Sequence, residues 1–465
     1  NNIEDLLYKW RFVQTANVDP AVRADSLPTA IFQQGLAYAI AHEVGHTLGL
    51  EHNMAASAAF ATDSLRNAAF TRKYGTTPSI MDYARFNYVA QPGDKGVRLT
   101  PPELGEYDYF AIDWNYRYYP QYAGKFDDET KAIEAMTDKA VKNPHLRFMP
   151  TQSRIIDPTV VAEDLGNDPI KAAEYGKKNL AGIQRNLATW IKNDDDSRKK
   201  QELNLAIAKQ YHLYFKNVLN LVGGIVCNTA KANTGVPPYK VLPKARQREA
   251  FLWTLKEVKN FTNHADRKAE RKDYMAVSYY DQLLEFLIRD LFNSRARVIM
   301  AQTLDPKSYT LREYFDDLYG QVFASTIAGR TPTHIEQLLE QTFLNQAEAA
   351  VSGGSSKAAP TVPTALAGSD ATDLYFDLVN RFGTVPTELK DQLFTENVQF
   401  GNPAQSPYPT FSISSHDNSD LYYQAALVKL RPVMARRAAS AGTPDLKAHY
   451  SIMLQKIDKA LDDKK

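Results

Sequence analysis

The chain is 465 residues long, 44% hydrophobic and 23% charged, which is enough to bury a large core in two or three domains. Its 55 basic and 54 acidic residues leave a formal net charge of +1, so it offers no field for a nucleic-acid backbone. No apolar run approaches the about 20 residues of a membrane span, and a single cysteine, Cys227, excludes an internal disulfide.

In chain order, residues 1–10, NNIEDLLYKW, contain no basic segment followed by an apolar signal core and read like the middle of a protein. A second helix follows. Pro28 suits its first turn, and Leu36, Ile40, Val44 and Leu48 recur every four residues as an apolar stripe. On this helix lies HEVGHTLGLEH, residues 42–52. His42 and His46 are four apart, so both imidazoles face the same way, one turn from each other. Gly49 is suited to close the helix in the left-handed conformation, which lets His52 fold back toward the same point. Three neutral imidazoles leave a fourth tetrahedral position open, as a catalytic zinc ion (Zn2+) requires. Glu43 points roughly 100° around the helix from His42, where its carboxylate reaches a water without being a ligand.

Downstream stands Ser79-Ile80-Met81-Asp82-Tyr83. Together, HExxHxxGxxH and this later methionine resemble the metzincin clan of zinc metallopeptidases. The resemblance implies that His42, His46 and His52 bind zinc, that Glu43 is the general base, and that Met81 is the apolar floor of a Met-turn. The SxMxY form is similar to astacins and serralysins, which makes Tyr83 a candidate switch residue that ligates zinc or stabilises the oxyanion. Tyr83 as an ordinary core aromatic is the alternative. Tyr74-Gly75-Thr76-Thr77-Pro78, the run from Asn87 to Asp94, and Tyr107, Asp108, Ala111, Ile112 and Trp114 are similar to a branch of large bacterial metzincin-like proteases, often secreted. The resemblance is sharpest over residues 35–120. In the clan a mixed sheet precedes the zinc helix, and only 41 residues precede His42. The expectation is therefore a fragment, with signal and upper sheet upstream and a secreted, periplasmic or cell-envelope location. Such a fragment could be inactive by itself.

After the Met-turn, Thr100-Pro101-Pro102-Glu103 reads as a capping box opening a helix with Leu104, Tyr107, Ala111 and Ile112 on its apolar face. Helical periodicity dominates from 126 to 350: Leu180, Ile183, Leu187, Trp190 and Ile191 mark one helix, and Leu203, Ile207, Tyr214, Val218 and Leu221 another. Gly223-Gly224 breaks the second, and residues 225–243, with Gly235, Pro237, Pro238 and Pro243, read as a loop or hairpin. Thr310-Leu311-Arg312-Glu313 is a further capping box, with Phe315, Leu318, Val322 and Phe323 turned inward. Residues 351–371 have linker composition, and helices are expected around 419–437 and 444–463. The run Asp194-Asp195-Asp196 reads as a solvated turn, Cys227 as a small buried hydrophobe, and the six remaining histidines as surface or satisfied structural residues.

The expected fold is thus mainly α: residues 1–125 as the lower, zinc-site portion of a metzincin-like catalytic domain, 126–350 as a helical domain packed on it, then the 351–371 linker and a 372–465 helical segment. The expected function is zinc-dependent endopeptidase, with a protein or peptide as substrate. A catalytically impaired zinc-binding or protein-interaction module is the alternative. Oligomeric state and cleavage specificity stay open.

Overall fold

The computed structural model describes residues 2–192, 198–261, 279–352, 393–398 and 411–462. The architecture is mainly α, with few strands. The first part contains α1 (Asn2–Thr15), α2 (Thr29–Thr47), α3 (Ala68–Tyr74), α4 (Glu106–Tyr116) and α5 (Phe126–Ala140), joined by long irregular segments. The helical remainder contains α6 (Pro169–Trp190), α7 (Arg198–Leu219), α8 (Lys244–Lys259), α9 (Tyr279–Asn293), α10 (Arg295–Leu304), α11 (Leu311–Val322), α12 (Ala324–Ala328), α13 (His334–Ser352), α14 (Ser419–Ser440) and α15 (Pro444–Asp462). No helix among the described residues is long and apolar enough to cross a membrane.

One apolar cluster runs from Leu7 and Phe12 of α1 through Ile183, Phe215, Phe251 and Phe343 to Ile457 of α15. The paired helices α6 and α7 both pack on α1, so the helical region supports the segment that leads into α2. Burying each such side chain fully is worth about 1.5–3 kcal/mol. The capping box at Thr310 forms as expected: Thr310 Oγ1 accepts from Glu313 N at 3.2 Å, and Glu313 Oε2 accepts from Thr310 N at 2.9 Å. After the break at Gly223, β1 (Ile225–Cys227) and β2 (Tyr239–Val241) form the antiparallel hairpin, with Ile225 opposite Val241. A Cβ on Gly223 (φ +70°) would collide with the backbone of Arg297, which explains glycine at that break. Cys227 is buried, as expected.

Three sequence expectations are corrected. The apolar stripe of α2 faces outward: Ile40 is 55% exposed and Val44 48% exposed. The buried face carries Gly35, His42 and Gly45 instead: Gly35 lies against Leu7 of α1, while His42 and Gly45 meet Ile80 and Met81 of the neighbouring turn. Thr100-Pro101-Pro102-Glu103 is not a cap. The helix begins at Glu106, and the acceptor for its leading N–H is Asp108, whose Oδ2 accepts from Gly105 N at 2.8 Å. Leu104 is accordingly exposed, while Tyr107 and Ala111 are buried. The third concerns β3 (Leu393–Val398) and β4 (Phe411–His416), an antiparallel hairpin within a segment expected to be helical. On β4 the alternate residues Phe411, Ile413 and Ser415 turn inward, and the first two pack on one small apolar cluster. Asp194–Asp196, His264 and the 351–371 segment beyond Ser352 lie outside the described residues.

Candidate metal centre

The helix carrying HExxH ends in a way that shapes the site. Gly49 takes φ +79°, its N–H bonds His46 O at 3.0 Å, and Leu50 N bonds Gly45 O at 3.0 Å. This pair of bonds is a Schellman closure, which reverses the chain after the last turn. The same reversal places Leu50 O 2.8 Å from Nδ1 of His46. His52 follows two residues later and brings its Nε2 to 3.2 Å from Nε2 of His46.

His42 is oriented from the other side. Its Nδ1 donates to Ile80 O at 2.8 Å, so the turn containing Met81 fixes its tautomer and ring plane. Ile80 is itself held, because its N–H donates to Asp108 Oδ2 at 2.7 Å while Ser79 Oγ donates to Asp108 Oδ1 at 2.7 Å. Asp108 is 2% exposed, and burial raises its pKa against the three donors that favour its charge. After His52, Asn53 N donates to Met81 O at 3.1 Å, so the returning chain is pinned to the same turn.

Nε2 of His42 is buried and has no hydrogen-bond partner. An orphaned buried acceptor costs about 1–3 kcal/mol, which an ion would offset. The ligand atoms of His42, His46 and His52 all lie within 4.8 Å of one another. Three nitrogens around a tetrahedral zinc ion stand about 3.3 Å apart, so small side-chain adjustments suffice. Burial, and then the neighbouring imidazoles, push His52 down to about 4, and burial first lowers His42 as well. Both are therefore neutral at physiological pH, which is the form that ligates metal. The donor set fits zinc.

Met81 is wholly buried in a small cluster with Leu50, Ile80, Tyr107 and Ala111. Its sulfur packs so closely on α2 that a Cβ at Gly45 would overlap it. Glu43 is exposed on the helix that carries His42 and His46, and its charge acts on both His42 and Tyr83. Tyr83 is half-buried, with its hydroxyl 2.6 Å from Nε2 of His52. Burial raises its pKa and the charge of Glu43 raises it further, so the phenol keeps its proton at neutral pH. The structure thus brings His42, His46, His52 and Tyr83 together, with Met81 under the turn that orients His42 and Gly49 closing the helix before His52.

Several contributors escaped the sequence reading. Tyr38, one helical turn before His42, donates from its hydroxyl to Asp82 O at 2.8 Å. Asp82 Oδ2 accepts from Ser57 N at 2.6 Å, and Ser57 Oγ donates to Asp164 Oδ1 at 2.7 Å. Asp82 and Asp164 are both fully buried, and each has an oxygen without a partner. Burial raises both, Asp164 to about 7, and their mutual repulsion raises Asp82 further. The acidic residue between Met81 and Tyr83 was the only signal in the sequence, and its partner lies 82 positions away. The other histidines are structural where described. His212 pairs with Asp290 at 3.1 Å and His449 with Glu340 at 2.9 Å. His145 meets Glu106, and His334 and His416 are exposed.

A helical scaffold that converges three histidines on one point, above a buried methionine turn, defines a metal-site protein of the zinc-metallopeptidase kind. A family model described as Met-zincin matches residues 24–329, and the chain belongs to the Met-zincin family. Membership points to a zinc-dependent metallopeptidase. Nothing among curated proteins or solved structures matches the chain.

Proposed function

We propose that the protein is a zinc-dependent endopeptidase in which His42, His46 and His52 hold the ion and Glu43 is the general base. The observation that carries this reading is the buried, unpartnered Nε2 of His42, converging with two other imidazoles. When bound, zinc supplies a Lewis acid that polarises the scissile carbonyl and makes water a nucleophile near neutral pH. Glu43 takes the proton of the attacking water and hands it to the leaving amine. Its exposure suits this role, because a base must reach both water and substrate. The Tyr83 hydroxyl donates to the substrate oxygen on which negative charge develops. Its contact with His52 marks where that donor rests before substrate arrives. Backbone carbonyls of Ile80 and Leu50 hold two of the imidazoles in the ligating tautomer, and Met81 supports the turn from which one of them comes.

The test is Glu43→Ala, assayed for bound zinc and for casein or peptide-library cleavage. Zinc stoichiometry should be unchanged while turnover falls by about 10²–10⁴. Native turnover in the variant would overturn the assignment of the base. A wild-type protein that binds zinc and cleaves no peptide would instead favour a binding module.

A further inference from the structure

Among the described residues only two non-glycine positions adopt the left-handed backbone, Arg85 at φ 55° and Glu163 at φ 60°. They form an ion pair with each other. Backbone strain persists only where the surrounding structure over-determines it, and it clusters at functional sites. Both side chains are withdrawn from solvent, at 10% and 7% exposure. The guanidinium also sits over the Trp10 ring of α1, with Cζ 3.0 Å from its centroid. Its Nε and Nη1 are buried without a hydrogen-bond partner, so the contact with Trp10 and the Glu163 carboxylate are what hold it.

The location of this pair gives it a consequence. Arg85 stands two residues after Tyr83, and the N–H of Glu163 donates to the carbonyl of Tyr83 at 3.1 Å. The pair therefore brackets Tyr83, one member from the chain that follows it and the other through its own peptide group. Tyr38 ties the preceding residue, Asp82, to α2. With the turn pinned on that side, the direction of the Tyr83 ring is set by the segment that Arg85 and Glu163 restrain. The charge of Arg85 also reaches the hydroxyls of both Tyr83 and Tyr38.

We propose that Arg85 and Glu163 are positioning residues for Tyr83, an ion-paired clamp that holds the phenol at the three-histidine site. The proposal rests on the reading of Tyr83 as the hydroxyl that serves the reacting carbonyl. It differs from a merely structural role because the strain is placed on a residue bonded to the Tyr83 carbonyl and on one two positions along the chain, not on the helices that carry the core. Neither side chain is itself catalytic, since the clamp acts through Tyr83.

The test uses the full chain with selectively labelled tyrosine rings, the Tyr83 resonance being assigned by its loss in Tyr83→Phe. Arg85→Met and Glu163→Gln are first checked for a native melting transition and for zinc stoichiometry. If Arg85→Met fails to fold, Arg85→Lys keeps the charge and takes its place. The expected result is a Tyr83 resonance that shifts or broadens in each clamp variant of the metal-free protein while tyrosines remote from the clamp, such as Tyr309 and Tyr450, stay in place. In the loaded enzyme kcat should fall on the order of tenfold to a hundredfold with KM little changed. That loss should vanish when the clamp variants are made in the Tyr83→Phe background. An unmoved Tyr83 resonance in both clamp variants, or a loss of kcat that persists undiminished without the Tyr83 hydroxyl, would overturn the proposal. A wild-type protein without peptidase activity would remove the reading of the function alone, and the resonance would still decide the clamp.

Discussion

Gly45 and Met81 occupy adjoining space: the methionine sulfur fills the volume that a side chain at position 45 would need. Position 45 lies between the two helical histidines, and Met81 is wholly buried, so its thioether has nowhere to withdraw. Gly45→Ala should therefore force the turn away from α2, at about 1–3 kcal/mol for overpacking. Because Ile80 O orients His42, zinc affinity should fall along with the melting temperature. A titration with a competing chelator measures the first and calorimetry the second. A variant with native values for both would show that the turn yields freely.

Asp108 is the anchor of that turn. It accepts from Ile80 N, Ser79 Oγ and Gly105 N, and Ile80 in turn accepts from His42. Asp108→Ala leaves three donors unpaired in a buried place, at about 1–3 kcal/mol each where water does not enter. Asp108 acts one step beyond Ile80 O, the outer partner of His42, so zinc affinity should fall by no more than the about 10–100-fold that losing a direct outer partner costs. The expected outcome is a destabilised protein with weakened zinc binding, read by the same two measurements.

Zinc should stabilise the fold. At a free concentration one hundred times its Kd a ligand adds about 2.7 kcal/mol. Removing zinc with a chelator should lower the melting temperature, and restoring it should reverse the change. His52→Ala should abolish most of this difference, because it removes one of three converging nitrogens. A zinc-dependent shift that survived His52→Ala would exclude that residue as a ligand.

The buried pair Asp82 and Asp164 makes stability depend on pH. Burial raises Asp164 from its ordinary 3.8 to about 7. Between those values the folded protein holds a proton that the unfolded chain has released, so stability is greatest on the acid side and falls as pH rises through the window. Asp164→Asn removes this penalty while leaving an acceptor for Ser57. The melting temperature of the variant relative to wild type should rise from about pH 5 to about pH 8, by on the order of 2 °C. A difference that stayed constant with pH would show that Asp164 is ionised throughout.

Most of the centre was legible in the sequence because it is built from local geometry. His42 and His46 face alike through helical periodicity, Gly49 reverses the chain within one turn, and His52 arrives within a reach of a few residues. The capping box at Thr310 and the hairpin after Gly223 were legible for the same reason. Where two local signals competed, the sequence misled. Thr100 and Glu103 have cap spacing, yet the helix waits for Gly105 and Asp108, because Asp108 serves the Met81 turn as well as the helix end. The stripe on α2 has the period of a core face and lies outward, since periodicity reports that a helix has an apolar side and not which neighbour it meets.

The sequence by itself therefore determined which three histidines converge and in what order, because their meeting depends on a helix turn and a closure that a few adjacent residues control. Only the tertiary structure decided what holds them. Asp108 under Ile80, Asp164 across from Asp82, and Glu163 paired with Arg85 beside Tyr83 are each brought together over long stretches of chain. Such pairings leave no periodic trace. Most of their members sit on irregular segments that the tertiary fold lays side by side, and burial then makes each carboxylate dependent on the partner it finds there.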